Sequence, residues 1–382
     1  MTALRIQTDR LVAWTRDEAL PFWAERGLDP RGGFYEAVGL DGAPLTRMTK
    51  RFRVQPRQAY VYAHAHELGW TDTGRTVSDH AWAFALSAGT DDDSLAGEGL
   101  FTGFCHLLTP EGGVHDARRD TYDHAFVLLA CAWRMRAFGD EQAERVAQRT
   151  LGFLDTLAHP EGGFAEGDPA ALPRRQNPHM HLFEACLALH AAGLEGALDR
   201  ARAIRRLMEE RFWDGAVLRE FFGEDWSLDP AKGHLVEPGH MAEWVWLLDA
   251  YEAATGEDQS GLMRALYDAA RRLGEDASGF LIDEAAVGGE ATKPTRRTWV
   301  QTEYAKATLV LARRGDAEAE ARAARLIEAM LATYLSGPAP GGWTDQYDEQ
   351  GAPIAPDMPT STFYHVLSLA AEAARTADAL SG

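Results

Sequence analysis

The feature that most constrains the fold of this 382-residue chain is a glycine-containing turn that recurs six times. Each turn carries an aromatic or aliphatic residue and separates two helical stretches, and successive turns start roughly 50 to 80 residues apart. That spacing matches two helices and their connections and is typical of stacked or closed arrays of helical hairpins. We therefore predict twelve helices closed into one ring. The turns are Gly32-Gly33-Phe34, Gly112-Gly113-Val114, Gly162-Gly163-Phe164, Asp214-Gly215-Ala216, Ser278-Gly279-Phe280 and Gly341-Gly342-Trp343.

The helical segments fall into two alternating classes. One class is amphipathic and rich in Arg and Glu, as expected of helices that face solvent on one side. The other begins with polar or aromatic residues and then becomes apolar nearly all round, which is typical of buried helices. We predict six inner helices wrapped by six outer ones, with all inner helices starting at one end of the ring. The predicted outer helices span 8–25, 73–88, 141–157, 197–212, 260–273 and 317–335, and the inner ones 56–68, 122–138, 178–192, 239–254, 302–314 and 362–375.

Composition and charge exclude several classes of protein. The formal net charge of −20 argues against a nucleic-acid partner, because surfaces that bind phosphate backbones are basic. No Ser/Pro-rich linker interrupts the repeat, so we predict a single domain over residues 1–382. The first twenty residues lack the apolar core of a secretory signal, and no apolar run approaches the roughly 18 residues of a membrane span.

The three cysteines, Cys105, Cys131 and Cys186, are too few and too scattered for a disulfide framework. They are predicted to be core thiols of a cytoplasmic protein without a membrane partner. The oligomeric state is not readable from these patterns, and a homodimer stays open.

Residues able to carry chemistry cluster at the starts of the predicted inner helices. Such a residue alone is more often a cap or a hydrogen-bonded core group than a catalyst, but the ring geometry directs all of them at one pocket. Four helices bring histidines to this end, and the other two bring an arginine and a glutamate. In chain order the candidates are Arg57; Tyr122, Asp123 and His124; His179 and His181; His240 and Glu243; Trp299, Gln301 and Glu303; and Tyr364 and His365.

Two local signals support the helix starts. Asn177 before Pro178 predicts a capping side chain followed by proline at the first helical position. Asp120 followed by Asp123 resembles a capping box with Asp in place of Glu.

Several chemical motifs are absent. The Gly-Gly pairs lack the strand, the spacing and the lysine of a phosphate-binding loop, and the chain contains no Gly-x-Ser-x-Gly elbow. His179 with His181, or His240 with Glu243, has spacing compatible with metal ligation, but no His-Glu-x-x-His pattern is present. We predict neither a metal nor a cofactor. The run Asp91-Asp92-Asp93 is predicted to be a solvated turn.

At these residues the chain resembles the N-acylglucosamine 2-epimerase superfamily, which includes mannose isomerases, sulfoquinovose isomerases and cellobiose 2-epimerases. The resemblance spans nearly the whole chain and implies an all-α (α/α)6 barrel of six inner and six outer helices. The most specific part is an Asn-x-x-x-His segment at 177–181 combined with Pro-Gly-His-x-x-Glu-Trp at 238–244. Further similar segments are 53–57, 122–126, 299–303 and 361–365.

The resemblance also implies residue roles. His240 and His365 resemble the general acid/base pair on opposite sides of an open-chain sugar. His181 resembles a histidine that contacts sugar hydroxyls, and Glu243 an acid that orients a histidine. The implied substrate-binding residues are Arg57 near the reacting carbons, Trp299 as a platform, Glu303 holding Arg57 or a hydroxyl, and also Asp123, His124, Tyr122 and Asn177.

The chemistry of the superfamily suits such residues. Moving a proton between C2 and C1 of an aldose needs a base at C2, an acid at the carbonyl oxygen and stabilisation of a cis-enediolate. A histidine suits the base because its ordinary pKa of about 6.5 leaves a large neutral fraction at pH 7. An arginine adds charge stabilisation, and no cofactor is required.

The product is left open by residue types alone. Return of the proton to C1 makes a ketose, whereas return to C2 from the opposite face makes the epimer. The segment 175–181 is similar to mannose isomerases, which favours interconversion of D-mannose or D-lyxose with D-fructose or D-xylulose. The alternatives are a sugar 2-epimerase of the mannose/glucose, N-acylglucosamine or cellobiose type, and a sulfoquinovose isomerase. An anionic substrate would need a basic group, for which Arg174, Arg175 and Lys232 are candidates.

Two further classes remain. A glycoside hydrolase on the same fold would use a pair of acids across a cleft, for which Glu243 and Glu303 are the candidates. A sugar-binding module without catalysis is the other, although so many titratable groups exceed what binding requires.

Overall fold

The computed structural model describes residues 2–90 and 100–381, so the Asp91–Asp93 segment lies outside the described residues. Within these residues, twelve principal helices alternate between an outer and an inner layer, as predicted. The outer helices are α1 (Ala3–Trp14), α3 (Gly74–Ala88), α5 (Glu141–Thr156), α7 (Ala197–Leu207), α9 (Ser260–Gly274) and α11 (Ala317–Ala332). The inner helices are α2 (Val54–Glu67), α4 (Thr121–Phe138), α6 (Gln176–Ala191), α8 (Pro238–Thr255), α10 (Thr298–Arg313) and α12 (Phe363–Ser381).

The two layers differ in burial as their sequences predict. In the outer helix α5 the buried positions, such as Ala143, Val146, Ala147 and Thr150, recur every three or four residues and form one face. In the inner helix α2 every residue from Val54 to Ala65 is buried. Each inner helix packs against the next, and α12 packs against α2, so the inner ring is closed. The predicted (α/α)6 barrel is confirmed.

Two outer helices are longer than their α-helical cores. α1 continues through Thr15–Ala19 and Trp23–Gly27, which are π-helical and flank a short α-helical turn at Leu20–Phe22. α7 continues as a π-helical segment at Met208–Phe212. These extensions account for the predicted outer segments 8–25 and 197–212.

In the described part of the chain, fourteen strands of two or three residues lie in the loops that lead to the inner helices, and these were not predicted. Each loop forms an antiparallel ladder with the next loop around the ring, through the pairs β2–β3, β5–β6, β7–β8, β9–β10, β12–β13 and β14–β1. We call this set the loop belt. Its strands are β1 (Ala37–Gly39), β2 (Lys50–Arg51), β3 (Leu107–Leu108), β4 (Val114–Asp116), β5 (Arg119–Asp120), β6 (Gly167–Asp168), β7 (Arg174–Arg175), β8 (Phe221–Phe222), β9 (Leu235–Val236), β10 (Glu284–Ala286), β11 (Ala291–Lys293), β12 (Arg296–Arg297), β13 (Gln346–Tyr347) and β14 (Asp357–Pro359).

Several of the glycine turns are held by side chains from the inner helices. Phe34 N donates to Gln55 Oε1 over 2.7 Å, and Phe164 N donates to His179 Nε2 over 2.9 Å. A Cβ on Gly163 would lie 2.6 Å from His179 Nε2, and the φ of this residue is +69°. Glycine is therefore required here for both space and backbone conformation.

The second turn differs from its prediction. Gly112 and Gly113 lie between β3 and β4, whose ladder they close. The turn that corresponds to Gly33 and Gly163 is Gly103, which has a φ of +87° and precedes Phe104. Phe104 N donates to His124 Nε2 over 2.9 Å, so the inner helix α4 recognises this turn and not the Gly-Gly pair.

The ring also closes where the chain begins and ends. Val38 pairs with Met358 in the β1–β14 ladder, and Arg5 in α1 forms an ion pair with Asp378 in α12 at 2.7 Å. Within the described residues, none of the helices has both the length and the apolar character that crossing a bilayer requires.

Candidate active site

A cavity of about 390 Å³ opens at the end of the barrel where the inner helices begin. The structure brings eight of the predicted site residues to its walls from all six inner helices. The loop belt adds further lining residues, including Arg51, Arg53, Glu237, Lys293 and Arg297. The predicted residues that line the cavity are Arg57, Tyr122, Asn177, His181, His240, Glu243, Trp299 and His365.

His365 is held by a carboxylate behind it. Its Nδ1 lies 2.7 Å from Glu303 Oε1, and both side chains are buried. The carboxylate favours a proton on Nδ1, which leaves Nε2 as the ring nitrogen able to accept a proton. Burial lowers the pKa of His365 well below its ordinary value, and the positive charges of Arg57 and Lys306 lower it further. His365 is therefore neutral at pH 7.

His240 has a similar carboxylate contact but the opposite charge state. Its Nδ1 lies 3.0 Å from Glu220 Oε2 and 3.8 Å from Glu237 Oε2. Burial acts to lower the pKa of His240, but the negative charges of Glu220 and Glu237 outweigh it and raise the pKa to about 9. His240 is therefore protonated at pH 7 and can act as an acid.

His181 forms a third histidine–carboxylate pair. Its Nδ1 lies 3.1 Å from Glu184 Oε2, which also accepts a 2.5 Å hydrogen bond from Tyr364. Burial lowers the pKa of His181, and Glu184 opposes that shift. The pair fixes the orientation of the imidazole at the cavity wall.

Glu243 is not bonded to any of these histidines. Its Oε1 lies 3.9 Å from His181 Nδ1, and neither carboxyl oxygen has a hydrogen-bond partner among the described residues. Burial raises the pKa of Glu243 well above its ordinary value, and the nearby charge of Glu303 adds to the rise. A buried, protonated carboxyl group that lines the cavity is free to hydrogen-bond a sugar hydroxyl.

Arg57 brings a positive charge into the cavity. It donates to the Tyr122 hydroxyl at 2.8 Å and stacks over the Phe126 ring at 3.9 Å. No carboxylate within the described part of the chain forms an ion pair with Arg57, unlike the other cations at the mouth. Its charge is therefore available to an oxyanion in the cavity.

Trp299 lies between the two differently charged histidines. Its ring centroid is 5.2 Å from that of His240 and 5.8 Å from that of His365. A sugar against this indole would have one histidine on each side.

Asn177 lies in the first turn of α6 and not at its cap, because the helix begins at Gln176. Its Oδ1 is buried without a hydrogen-bond partner among the described residues. The predicted capping role is wrong, and the side chain lines the cavity instead.

Six predicted residues do not line the cavity, and three of them, His179, Gln301 and Tyr364, bind Phe164 N, Leu281 N and Glu184 instead. His124 binds backbone groups through both ring nitrogens, to Asp120 O at 2.7 Å and from Phe104 N, and burial lowers its pKa to about 4. Asp123 accepts bonds from His106 and Arg53 and does not reach back to Asp120, so it completes no capping box. Glu303 lies behind His365, to which it binds, and does not hold Arg57.

A second cavity of about 530 Å³ adjoins the first. Arg53, Tyr122 and Asn177 line both. Arg175 and Lys232 line the second cavity, whereas Arg174 is buried and stacks over Trp226 with its guanidinium carbon 3.5 Å from the ring centroid. Arg174 is thus a structural residue of the belt.

A sequence profile described as N-acylglucosamine 2-epimerase (GlcNAc 2-epimerase) matches residues 33–369. This match includes the start of every inner helix and most of the chain. The protein belongs to the N-acylglucosamine 2-epimerase family. The predicted family and the predicted class of enzyme, a sugar isomerase, are thereby confirmed.

Individual members of this family are similar over nearly their full length. A mannose-6-phosphate isomerase of Rhizobium meliloti is 36% identical, with 95% of this chain and 96% of that protein covered. A D-mannose isomerase of Thermobifida fusca is 29% identical over 89% of this chain and 88% of that protein. The solved cellobiose 2-epimerase of Spirochaeta thermophila has a TM-score of 0.87 at 21% identity, covering 99% and 98% of the two chains, and so shares the fold.

Sequence reasoning missed three residues behind the site. Glu184 follows His181 by three positions and Lys306 follows Glu303 by three, so helical spacing would have indicated both. Glu220 lies in the loop before β8, 20 residues from His240, and is not part of a recognisable sequence motif. Only the fold brings it to the histidine.

Among the residues that the structure describes, histidine and carboxylate groups come close enough in four places to resemble metal-ligand sets, for example Glu220, Glu237 and His240. In each set the histidine Nδ1 already contacts a carboxylate within 3.1 Å, as expected of oriented acid/base groups. The prediction of a metal-free and cofactor-free reaction stays a prediction.

Proposed function

We propose that this protein is a cofactor-independent aldose–ketose isomerase that interconverts D-mannose, or the related D-lyxose, with the corresponding ketose. The observation that carries the proposal is the pair of carboxylate-bound histidines, one on each side of Trp299. Neutral His365 is suited to remove a proton, and protonated His240 is suited to donate one. The D-mannose isomerase of Thermobifida fusca supports the choice of substrate.

In the proposed reaction, His365 Nε2 takes the proton from C2 of the open-chain aldose. The C–H electron pair forms the C1–C2 double bond while His240 protonates O1, which gives a cis-enediol. His365 then returns the proton to C1, and His240, now neutral, takes the proton from O2 as the C2 carbonyl forms. The cis arrangement places O1 and O2 on one side, so that one histidine can serve both oxygens.

Arg57 is proposed to stabilise the oxygens of the enediolate. A cation without a carboxylate partner gains most from a negative charge that develops during the reaction. Glu243 and His181 are proposed to hydrogen-bond hydroxyls further along the sugar, because both line the cavity and Glu243 has unpartnered oxygens.

The charges at the mouth favour a neutral sugar over a phosphorylated one. Four of its cations are already matched by carboxylates, so no cluster of free positive charge awaits a phosphate. The pairs are Arg51 with Glu36, Arg53 with Asp123, Lys293 with Glu284 and Arg297 with Asp283. D-mannose 6-phosphate is nevertheless the second candidate, because the Rhizobium meliloti relative bears that name.

A glycoside hydrolase is less compatible with this arrangement. Hydrolysis needs two carboxyl groups on opposite sides of a glycosidic bond, at roughly 5–10 Å. Glu243 and Glu303 have oxygens within 4.8 Å of each other, and Glu303 is engaged by His365 and Lys306.

Incubation with D-mannose in deuterated water tests the proposal. We expect D-fructose with deuterium incorporated next to the carbonyl, followed by NMR, and a lower kcat/KM for D-mannose 6-phosphate under the same conditions. Formation of D-glucose alone would assign a 2-epimerase instead, and release of free sugar from a disaccharide would assign a hydrolase. Absence of exchange with every aldose tested would contradict the proposal.

A further inference from the structure

Lys306 is a charged residue that the proposed reaction does not use. It is one of four lysines in the chain and is completely buried. It lies on α10, one turn deeper in the barrel than Glu303, and does not line the cavity. A lysine is almost never fully buried unless its charge is matched.

The match is with the carboxylate that holds His365. Lys306 Nζ lies 2.6 Å from Glu303 Oε2, in a geometry that forms an ion pair without an aligned hydrogen bond. Glu303 Oε1 faces His365 Nδ1 on its other side. The indole of Trp246 covers the ammonium with its centroid 3.7 Å away. Lys306, Glu303 and His365 thus form a continuous chain of contacts from the core to the cavity.

The corresponding group behind His240 has no lysine. Glu220 accepts a hydrogen bond from Gln176 at 2.9 Å, and no lysine or arginine within residues 2–90 and 100–381 forms an ion pair with it. The negative charge of Glu220 therefore acts on His240 with no lysine or arginine to offset it. The negative charge of Glu303, which acts on His365, is offset by Lys306. This difference separates two histidines with otherwise similar carboxylate contacts.

We propose that Lys306 is a positioning residue that makes His365 the base. Its ammonium keeps Glu303 a carboxylate inside the barrel, so Glu303 accepts the Nδ1 proton of a neutral imidazole and leaves Nε2 free to take a proton. The inference rests on the proposed function for its kinetic test, but it concerns a contact that can be measured without substrate.

Other charged groups surround His365 and contribute to its state. Burial raises the pKa of Glu303, and Lys306 is the first of the groups that oppose the rise. Without Lys306, the Glu303–His365 pair would retain one more proton at neutral pH. The titratable and charged groups facing His365 from the neighbouring helices are Arg57 on α2, His181 and Glu184 on α6, Glu243 on α8, and Glu303 and Lys306 on α10.

The first test is Lys306→Met, compared with Lys306→Arg. We expect Lys306→Met to move the acidic limb of the kcat/KM profile upward by about one pH unit or more, because the pair must lose its additional proton before His365 can act. One pH unit below the shifted limb, kcat/KM falls about tenfold from its plateau, whereas the plateau itself changes little. Lys306→Arg keeps the positive charge and is expected to restore the limb.

Lys50 provides a matched control. It is also buried and also forms an ion pair with a carboxylate, Asp29, at 2.7 Å, but neither residue lines the cavity. Lys50→Met is expected to lower the melting temperature and leave the acidic limb in place. A shift of that limb in Lys50→Met would show that loss of any buried lysine has the same effect and would overturn the proposal.

A measurement on the free protein separates this inference from the proposed reaction. The His365 imidazole resonances, assigned by comparison with His365→Asn, are followed against pH by NMR. Lys306→Met is expected to raise the pH at which His365 titrates, and the double variant Glu303→Gln with Lys306→Met is expected to return it toward the wild-type value.

Because the double variant leaves no buried charge unpaired at this position, it also covers the case in which Lys306→Met alone does not fold. An unchanged His365 titration in folded Lys306→Met, or a double variant that differs from wild type as much as the single one does, contradicts the role of Lys306. If the His365 titration responds to the variants as expected but the wild-type protein isomerises no aldose, the proposed function is contradicted. The proposed effect of Lys306 on His365 is then still supported.

Discussion

His365 and His240 show how two residues of the same type acquire different chemistry from their surroundings. Each contacts a buried carboxylate through Nδ1, at 2.7 and 3.0 Å. Arg57 and Lys306 add positive charge around His365, whereas Glu237 adds a second negative charge near His240. The electrostatic environment, and not the direct contact, therefore gives the two histidines different charge states.

Replacement of the base gives the most direct prediction. We expect His365→Asn to lower the rate of C2–H exchange by about 10²–10⁴-fold, because a positioned general base contributes that much. The measurement is loss of the C2 proton signal in deuterated water. His124→Ala is the control, since His124 holds a backbone amide outside the cavity. It should destabilise the fold by about 1–3 kcal/mol through that unpaired amide and leave kcat of the folded protein unchanged.

The charge states also predict the pH dependence of catalysis. The kcat/KM profile should be bell-shaped, with an acidic limb below 6.5 set by His365 and a basic limb near pH 9 set by His240. Glu220→Gln removes the charge that most raises the pKa of His240, so the basic limb should move to lower pH. Glu275→Gln, which changes a carboxylate paired with Arg322 elsewhere, should leave the limb in place. A basic limb unaffected by Glu220→Gln would exclude His240 as its source.

The same pKa shift links pH to stability. The pKa of His240 is raised on folding, so its contribution to stability is complete below about pH 6.5. That contribution is lost as the pH rises through about 9.

At the scale of the secondary-structure elements, the glycine turns explain why a repeat of helical hairpins is visible in the sequence. Gly163 combines a positive φ with a side chain pressed against its α-carbon, and Gly215 has a positive φ but no atom within 4 Å of an added Cβ. Recognition by an inner helix does not follow this difference, because Gly279 also leaves room for a Cβ although Gln301 binds its turn at Leu281 N.

This difference predicts unequal effects of the same substitution. Gly215→Ala should destabilise by about 1–2 kcal/mol because of backbone strain alone. Gly163→Ala should cost a further 1–3 kcal/mol or so, since the new methyl group displaces His179 or Leu207, 2.6 and 2.8 Å away. Chemical denaturation of both variants measures the two values. Equal destabilisation would mean that His179 moves aside without cost.

The predictability of the elements follows from their length. The helices were predictable because a period near 3.6 repeats over about three or more turns, and the predicted inner segment 122–138 differs from α4 by one residue. The strands of the loop belt contain two or three residues, which is too short for a period of two to be recognised. Of the site, the helix-borne residues were predictable from the family motifs, whereas Glu220 was not, because a loop residue is placed by tertiary contacts.

At the scale of the whole molecule, the closed ring bears on the predicted single domain. Consecutive inner helices pack against one another without a gap, and α12 returns to α2. A closed ring has no seam at which part of the chain can separate while the rest stays packed.

We therefore expect one cooperative unfolding transition over the predicted domain, 1–382. Far-ultraviolet circular dichroism and tryptophan fluorescence should report the same midpoint, since the 11 tryptophans are distributed along the chain. Two separated midpoints would indicate independently unfolding parts and contradict the single domain.

The loop belt has a consequence for how such an enzyme can diversify. Its ladders join the bases of neighbouring loops, while the connection at Gly288 and Gly289 between β10 and β11 lies beyond the ladders and is exposed. Lengthening a connection of this kind changes the side chains that a sugar contacts as it enters the cavity. The histidines that line the cavity keep their spacing. Selection for new substrates can therefore act on the rim without disturbing proton transfer.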